Sequence, residues 1–145
     1  MTTYTRIHKA FTLVEVLIVV VVLGILAAVV IPQFTDASSD AKLSSLETDL
    51  ATIRTQLQLY KLQHNDNWPA LATFTNQMTL SSKADGTTAA IGTAGYPYGP
   101  YLQTIPNNPF TDTNTVSAGA ADTSAWYYDE NTGTFRPNDT AHLSY

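Results

Sequence analysis

The apolar positions of this chain form two successive patterns. From Phe11 to Ile31 the sequence is almost continuously apolar, and only Thr12 and Glu15 carry polar or charged side chains. At about 1.5 Å per residue this run would form a helix of roughly 31 Å, enough to cross the hydrocarbon core of a bilayer. The run also continues past Ala27-Ala28, where a shorter secretory signal could end. The pattern therefore predicts a membrane-spanning helix rather than a signal peptide.

Charged residues on either side of this run predict its orientation. Arg6 and Lys9 precede it, whereas Asp36 and Asp40 follow it. Positively charged flanks are retained preferentially in the cytoplasm. We therefore expect a cytoplasmic N-terminus, with the residues after the span on the opposite side of the membrane.

The second pattern is that of an amphipathic helix. Apolar side chains recur at steps of three and four residues, as on one helix face, at Leu43, Leu46, Leu50, Ile53, Leu57 and Tyr60. The sequence predicts one long helix from Phe11 to about His64. The apolar residues from Leu43 to Tyr60 form a seam on this helix, which packs on the chain's own C-terminal sheet or, alternatively, on another chain in a coiled coil. Within the helix, Pro32 predicts a kink or local unwinding, or else ends the membrane helix, and Gly24 is a second weak point.

The remaining residues predict a small domain rich in turns and β-structure. Asn65-Asp66-Asn67 ends the long helix, and a short second helix is expected between Trp68 and Met78. The Gly-, Ala- and Thr-rich stretch from Ser81 to Gly99 predicts an irregular surface loop. Trp126 to Pro137 predicts a β-hairpin at the edge of the sheet, with its turn at Asn131 to Gly133.

Composition argues against several classes of function. With 7 Lys and Arg against 12 Asp and Glu the formal net charge is −5, so no nucleic-acid-binding face is expected. The chain holds no cysteine and therefore no disulfide or thiolate site. Its three histidines are scattered, without the spacing of a zinc site or a catalytic triad. We expect no enzymatic activity and assign no catalytic residue. Tyrosines between Tyr96 and Tyr101 are expected to pack a loop on the core, or alternatively to form a surface-binding strip.

Glu15 is the one charged residue within the predicted span. Thr12 and Glu15 have the spacing of a capping box, in which each side chain bonds the backbone amide of the other residue. Alternatively, a carboxylate withdrawn from water needs a cation, and the span contains none. In that interpretation another chain supplies the positive charge.

The sequence FTLVEVLIVV at Phe11 to Val20, followed by Gly24 and Pro32, closely resembles the N-terminus of type IV pilins and pseudopilins. The resemblance implies that a prepilin peptidase cleaves between Ala10 and Phe11 and methylates the new amine of Phe11. It also implies that Glu15 pairs with the N-terminal amine of a neighbouring subunit. The family usually has glycine before the cleaved bond, where this chain has Ala10.

The same resemblance implies an α+β, pilin-like fold, in which a long N-terminal transmembrane and stalk helix packs on a small antiparallel β-sheet domain. The expected organisation is a leader peptide at 1–10, a transmembrane and filament-core helix at 11–31, its amphipathic continuation at 32–64 and a C-terminal globular domain at 65–145. In this arrangement Gly24 and Pro32 would let the helix bend where many copies pack together.

A looser resemblance concerns function. YLQTIPNNPF at 101–110 and WYYDENTGTFRPN at 126–138 are similar to the C-terminal half of major pseudopilins of type II secretion. This implies a structural pseudopilus subunit that supports protein secretion. The alternative is a type IV pilus subunit for adhesion, motility or DNA uptake. A rival of another class is a monomeric, single-pass membrane anchor that presents a binding domain.

The resemblance also implies the partners and the location. Expected partners are identical and related pilin-like subunits, the prepilin peptidase, and an inner-membrane assembly platform with its ATPase. The chain would occupy the inner membrane first and a periplasmic pseudopilus or extracellular pilus afterwards. Major pseudopilins often bind calcium, but the acids of this region match no calcium loop, at Asp112, Asp122, Asp129 and Glu130. No cofactor is assigned, and calcium is left open.

Overall fold

The computed structural model describes residues 11–145, except the side chains of residues 31–36. Helix α1 comprises Leu13–Gln63, a 3-10 turn comprises Leu71–Thr73, and helix α2 comprises Phe74–Thr79. Five short strands follow, namely β1 (Ser81–Ser82), β2 (Thr88–Ala89), β3 (Val116–Ser117), β4 (Trp126–Asp129) and β5 (Thr134–Pro137). The chain divides into two compact units, one up to Asp40 and the other from Ala41 to Tyr145.

The first unit contains the apolar part of α1. Every side chain described between Phe11 and Val30 is exposed within the chain. In the part of the chain that the structure describes, Leu13–Val30 is the one stretch long and apolar enough to cross a membrane. Helix α1 continues through Pro32, so the interpretation in which Pro32 ends the membrane helix is wrong. A proline removes one backbone hydrogen bond, which the turns on both sides of a long helix tolerate. The expected leader at 1–10 lies outside the described residues.

The core of the second unit lies between the amphipathic part of α1 and the sheet. The predicted seam of α1 is buried from Leu46 to Tyr60, and each of its residues there exposes 2% or less. It packs in one cluster with residues of α2 and of β4 and β5, including Trp126, Tyr128 and Phe135. The prediction that this seam packs on the chain's own sheet is confirmed, and the coiled-coil alternative for the seam is wrong.

The predicted hairpin is present as strands β4 and β5. They pair antiparallel, with Trp126 opposite Pro137 and Tyr128 opposite Phe135. Strand β5 lies at the edge and β4 in the centre, because β3 pairs with the other side of β4. That second pairing is parallel, so the sheet is mixed rather than antiparallel throughout. The segment at 118–125 brings the chain back before β4 begins, which makes both strands run in the same direction.

The stretch from Ser81 to Gly99 is more ordered than expected. Strands β1 and β2 pair antiparallel, with Ser82 opposite Thr88, and Ser82 also exchanges two backbone hydrogen bonds with Tyr98 at 2.8 and 3.1 Å. The prediction of an irregular loop is therefore wrong for these residues. The small polar side chains of this stretch show no apolar alternation, so its backbone pairing has no counterpart in the sequence pattern. Tyr98 and Tyr101 pack on the core, as one of the two interpretations of this tyrosine-rich segment predicted.

Candidate assembly site at the start of helix α1

Thr12 and Glu15 form the predicted capping box at the N-terminus of α1. The backbone N–H and the hydroxyl of Thr12 donate to Glu15 Oε2 at 2.9 and 3.0 Å. In return, the Glu15 backbone N–H donates to Thr12 Oγ1 at 3.3 Å. Helix N-termini have unpaired backbone donors, and this reciprocal arrangement satisfies two of them. The capping box orients the Glu15 carboxylate without neutralising its charge.

An apolar hollow lies beside this carboxylate. It has a volume of about 230 Å³ and is lined by Phe11, Glu15, Val16, Val19 and Val20. Phe11 exposes 85% of its surface. Among the described side chains, at 11–30 and 37–145, Lys61 pairs with Asp66 and no cation pairs with Glu15. Covering this apolar surface would leave the carboxylate unpaired and out of water, which is strongly unfavourable unless a cation is buried with it.

The other residues predicted for this region are placed as follows. Gly24 lies within α1, and a Cβ atom added there would meet no other atom within 4 Å. Nothing in the described part of this chain therefore requires glycine at position 24. The backbone at Pro32 is helical, while its side chain and the whole of Ala10 lie outside the described residues.

Three of the four acidic residues considered for calcium accept hydrogen bonds from other groups of the chain. Asp129 accepts hydrogen bonds from the Asn131 backbone and the Thr132 hydroxyl, both at 2.9 Å, and these bonds lower the pKa of its carboxyl. The Glu130 carboxylate accepts a hydrogen bond from the Leu71 backbone N–H at 2.6 Å. The Asp122 carboxylate accepts one from the Thr140 backbone N–H at 2.9 Å. Within the described residues no group of three metal-binding side chains occurs. The structure thus gives no basis for assigning a metal ligand.

Sequence reasoning missed the buried His64 at the C-terminal end of α1. His64 exposes 1% of its surface. Its Nδ1 lies 2.8 Å from Tyr60 O, which can only accept, so Nε2 accepts from the Ser82 hydroxyl at 3.0 Å. Burial lowers the pKa of the imidazole, which favours this neutral form. A lone histidine after a helix carries no sequence signal for such burial.

The fold and the site define a class of protein. The chain begins its described part with an exposed apolar helix that is long enough to span a bilayer. The Glu15 carboxylate takes part in capping the N-terminus of this helix. The helix is followed by a small domain in which His64, Asp122, Asp129 and Glu130 make hydrogen bonds within the chain. These are the features of a structural protein with a helix that can insert in a membrane and that the rest of the described chain leaves uncovered.

Comparison with known proteins identifies the family. A family model described as the prokaryotic N-terminal methylation motif matches residues 5–31. The chain is 30% identical to "Type II secretion system core protein G" of Klebsiella pneumoniae, across 77% of this chain and 76% of that protein. It is 31% identical to the protein of the same name from Aeromonas hydrophila, across 72% and 69% of the two chains.

A pilin is similar too. The chain is 30% identical to "Type IV major fimbrial protein FimA" of Dichelobacter nodosus, across 61% of this chain and 60% of that protein. No solved structure matches the chain. The chain belongs to the type IV pilin and pseudopilin family that includes type II secretion core protein G. Members of this family are structural proteins rather than enzymes, and the motif and the apolar helix indicate an inner-membrane prepilin.

Proposed function

We propose that this chain is a structural subunit of a type II secretion pseudopilus and supports protein secretion through assembly. The observation that carries this proposal is its similarity to core protein G across 77% of its length, which extends well beyond the N-terminal motif at 5–31. Its partners would be identical and related pilin-like subunits, the prepilin peptidase, and an inner-membrane platform with its ATPase. The domain boundaries expected from the sequence, at residues 10, 31 and 64, belong to this proposal.

Processing is the first step of the proposed function. In the membrane the N-terminus is cytoplasmic and the C-terminal domain periplasmic. The peptidase removes residues 1–10 between Ala10 and Phe11, and the new amine of Phe11 is methylated. Intact mass spectrometry of the membrane-extracted chain tests this, because processing predicts loss of residues 1–10 and gain of one methyl group. A chain that keeps residues 1–10 in a strain with active peptidase would instead favour the monomeric membrane anchor.

Assembly through Glu15 is the second step. The α-amino group of a neighbouring Phe11 is mostly protonated near neutral pH, since such amines titrate at about 7.7–8.0. It would neutralise Glu15 as the apolar helices come together. The backbone N–H and the hydroxyl of Thr12 both donate to the same oxygen, Oε2, and a carboxylate offers about four acceptor positions. The capping box and a bond to a second subunit are therefore compatible, and Gly24 and Pro32 would let the packed helices bend.

Two matched variants separate the capping box from the intersubunit charge. Glu15→Gln keeps a residue that suits a capping box but removes the charge, whereas Thr12→Val removes the cap and keeps the charge. We expect Glu15→Gln to be inserted and processed but to yield few sheared filaments, and Thr12→Val to retain most of its filament yield. Normal filament yield from Glu15→Gln would contradict a charge-pairing role for Glu15.

The similarity to a fimbrial protein supports a second candidate, a type IV pilus subunit. Deletion of the gene distinguishes the two functions. A pseudopilus subunit is required for export of secreted proteins, whereas a pilus subunit is required for adhesion, motility or DNA uptake. Neighbouring genes give an independent indication, since a secretin and secretion cargo favour the first function and a retraction ATPase favours the second.

A further inference from the structure

A cleft with an outer and an inner part lies beside Trp68 in the second unit. The outer part has a volume of about 540 Å³. The inner part has a volume of about 170 Å³ and is bordered by the rings of Tyr60 and His64. Asn67, Trp68 and Ala70 line both parts, so the two adjoin. The outer part alone lies within the range of about 300–1,000 Å³ that is typical of small-molecule sites.

The inner part contains a buried hydroxyl group without a partner. Tyr60 exposes 1% of its surface, and its hydroxyl makes no hydrogen bond within the described chain. Burial raises the pKa of this phenol to about 12, so the hydroxyl keeps its proton near neutral pH. By contrast, the buried Tyr128 hydroxyl donates to the Pro69 carbonyl at 2.8 Å. Buried polar groups are normally hydrogen-bonded, so we expect the Tyr60 hydroxyl to bond a molecule in the cleft.

A second unpaired donor lies next to this hydroxyl. Gln77 exposes 8% of its surface, and its Nε2 donates one N–H to the Gly86 carbonyl at 2.9 Å. The amide carries two N–H groups, and the second has no acceptor within the described chain. A Cβ atom added at Gly86 would lie 2.9 Å from Gln77 Nε2 and 3.3 Å from the Tyr60 hydroxyl oxygen. Glycine therefore leaves both donors accessible, and one carbonyl oxygen, with two lone pairs, could accept from both.

The charge of the inner part excludes an anionic ligand. Asp85 lines it, and its carboxylate accepts from the Thr87 hydroxyl at 2.7 Å and from the Thr87 backbone at 2.9 Å. These bonds lower the pKa of the carboxyl, which is therefore ionised near neutral pH and repels carboxylates and phosphates. The rings of Tyr60 and His64, stacked with centres 3.6 Å apart, supply an apolar border. A neutral carbonyl with a methyl substituent, such as an acetamide group, fits these features.

The outer part presents free acceptors. Asn67 and Asn131 each donate through Nδ2 to a group of the same chain at 3.0 Å, and Glu130 accepts through Oε2. Within the described chain, the remaining side-chain oxygens of these three residues accept no hydrogen bond. All three residues line the outer part. Several acceptors around one opening suit a ligand with several hydroxyl groups.

Trp68 provides an aromatic surface in the same place. The Lys61 ammonium lies over its ring, 4.7 Å from the centre, which marks a face that attracts electropositive groups. The C–H groups of a sugar ring are attracted to an aromatic face for the same reason. The other partner of Lys61 is the exposed Asp66 carboxylate at 3.7 Å, and such surface pairs contribute little. The lysine side chain can therefore move aside when a sugar ring binds.

We propose that this cleft binds an N-acetylated amino sugar, with its acetamide group bonded to Tyr60 and Gln77 and its ring against Trp68. Glycan strands of the cell wall and free oligosaccharides both carry this group. The inference goes beyond the proposed function, because the cleft lies wholly within the second unit and its chemistry does not depend on assembly.

Titration calorimetry tests the ligand class. The full chain, in a detergent without a sugar head group, is titrated with the β-1,4-linked tetramer of N-acetylglucosamine. Cellotetraose is the matched control, because it has the same linkage and a hydroxyl in place of each acetamide. We expect the acetylated tetramer to bind at least about tenfold more tightly, since cellotetraose leaves both inner donors unpaired. No binding of the acetylated tetramer, or equal affinity for the two sugars, would overturn the proposal.

Two tyrosine variants separate binding from folding. Tyr60→Phe removes a hydroxyl that has no partner in the chain, so affinity for the tetramer should fall by about tenfold while the urea midpoint does not fall. Tyr101→Phe removes a hydroxyl that donates to Gln63 at 2.6 Å, so the midpoint should fall while affinity is unchanged. Unchanged affinity in Tyr60→Phe would overturn the assignment of the inner part.

Two glycine variants test the opening of the inner part. Gly86→Ala places a methyl group against both donors and should abolish binding. Gly92→Ala is the matched control, because Gly86 and Gly92 have φ values of +83° and +80° and Gly92 has open space around it. Backbone strain is therefore similar in the two variants, and only the first should lose the sugar. Equal affinity in the two variants would count against the site.

Binding to purified cell-wall sacculi distinguishes the sources of the sugar. Co-sedimentation that the free tetramer competes away would support wall glycan, whereas binding of the tetramer alone would support a free oligosaccharide. Tighter binding of an N-acetylated dipeptide amide than of the tetramer would overturn the sugar assignment in favour of a peptide. Filament yield and secretion are measured separately, so failure to bind sugar would overturn this inference and leave the proposed function intact.

Discussion

The turn between β4 and β5 offers a sharp test of the fold, at Gly133. Its backbone φ is +70°, in the left-handed region, and its N–H donates to Asp129 O at 2.8 Å. The indole of Trp68 lies directly against it. A Cβ atom added at Gly133 would lie 2.6 Å from Trp68 Cδ2 and closer still to two further ring atoms. Gly133→Ala therefore introduces both backbone strain and a steric overlap.

The two costs can be estimated separately. A left-handed conformation costs a residue with a side chain about 1–2 kcal/mol. Overlap in a packed region adds about 1–3 kcal/mol, since the neighbour must shift from its position. Trp68 has little freedom to do so, because it packs on the core and the Lys61 ammonium lies 4.7 Å from the centre of its ring. We expect Gly133→Ala to lower the free energy of unfolding by about 2–5 kcal/mol.

A double-mutant cycle separates strain from overlap. The full chain in detergent is unfolded with urea, and the fluorescence of Trp126 reports on the core even when Trp68 is replaced. In a Trp68→Ala background the overlap disappears, so Gly133→Ala should cost only about 1–2 kcal/mol. Gly92→Ala is a matched control, because Gly92 has φ +80° and open space around it.

Two results would refute this reasoning. If Gly133→Ala costs no more than Gly92→Ala, the Trp68 contact does not constrain position 133. If the penalty is the same with and without Trp68, the cost comes from the backbone alone and the close approach of the indole has no energetic consequence.

Two further predictions concern the core of the second unit. Because burial lowers the pKa of His64 in the folded state, the unfolded chain takes up the proton first, at about 6.5. The stability that neutral His64 provides is therefore complete above that pH and is lost as the pH falls. The urea midpoint of the natural chain should drop between pH 7.5 and 5, and that of His64→Gln should drop less. An equal drop in the natural chain and in His64→Gln would exclude His64 as the cause. Ile53 is fully buried in the seam, so Ile53→Ala should lower the free energy of unfolding by about 2–5 kcal/mol. Leu62 is 80% exposed, so Leu62→Ala should change that free energy by no more than about 0.5 kcal/mol. Similar losses from the two variants would contradict the assignment of the buried and the exposed face of α1.

Several elements were predictable because their determinants lie close together in the sequence. The length of the apolar run up to Ile31 and the three-and-four-residue spacing of the seam both predict a helix. The observed α1 ends at Gln63, near the predicted end at His64. The capping box of Thr12 and Glu15 and the hairpin from Trp126 to Pro137 likewise depend on residues that are close together in the sequence.

Other features depended on residues that meet only in the folded chain. Strands β1 and β2 have two residues each, too few for an apolar alternation, so their pairing is decided by the backbone groups available nearby. The parallel pairing of β3 with β4 and the burial of His64 beneath Ser82 also join segments that are distant in sequence. No local pattern specifies them.

The same distinction applies to the functional surfaces of this pilin-family subunit. The sequence by itself determined that α1 is apolar at its start, amphipathic afterwards and capped at Glu15, because hydrophobic periodicity records which positions leave water. Only the tertiary structure decided which face of α1 the domain covers. By burying the seam from Leu46 to Tyr60 against its own sheet, the fold leaves the opposite face of α1, between Ser45 and Leu62, exposed. Periodicity shows that a face must be covered, but the identity of what covers it depends on contacts distant in sequence.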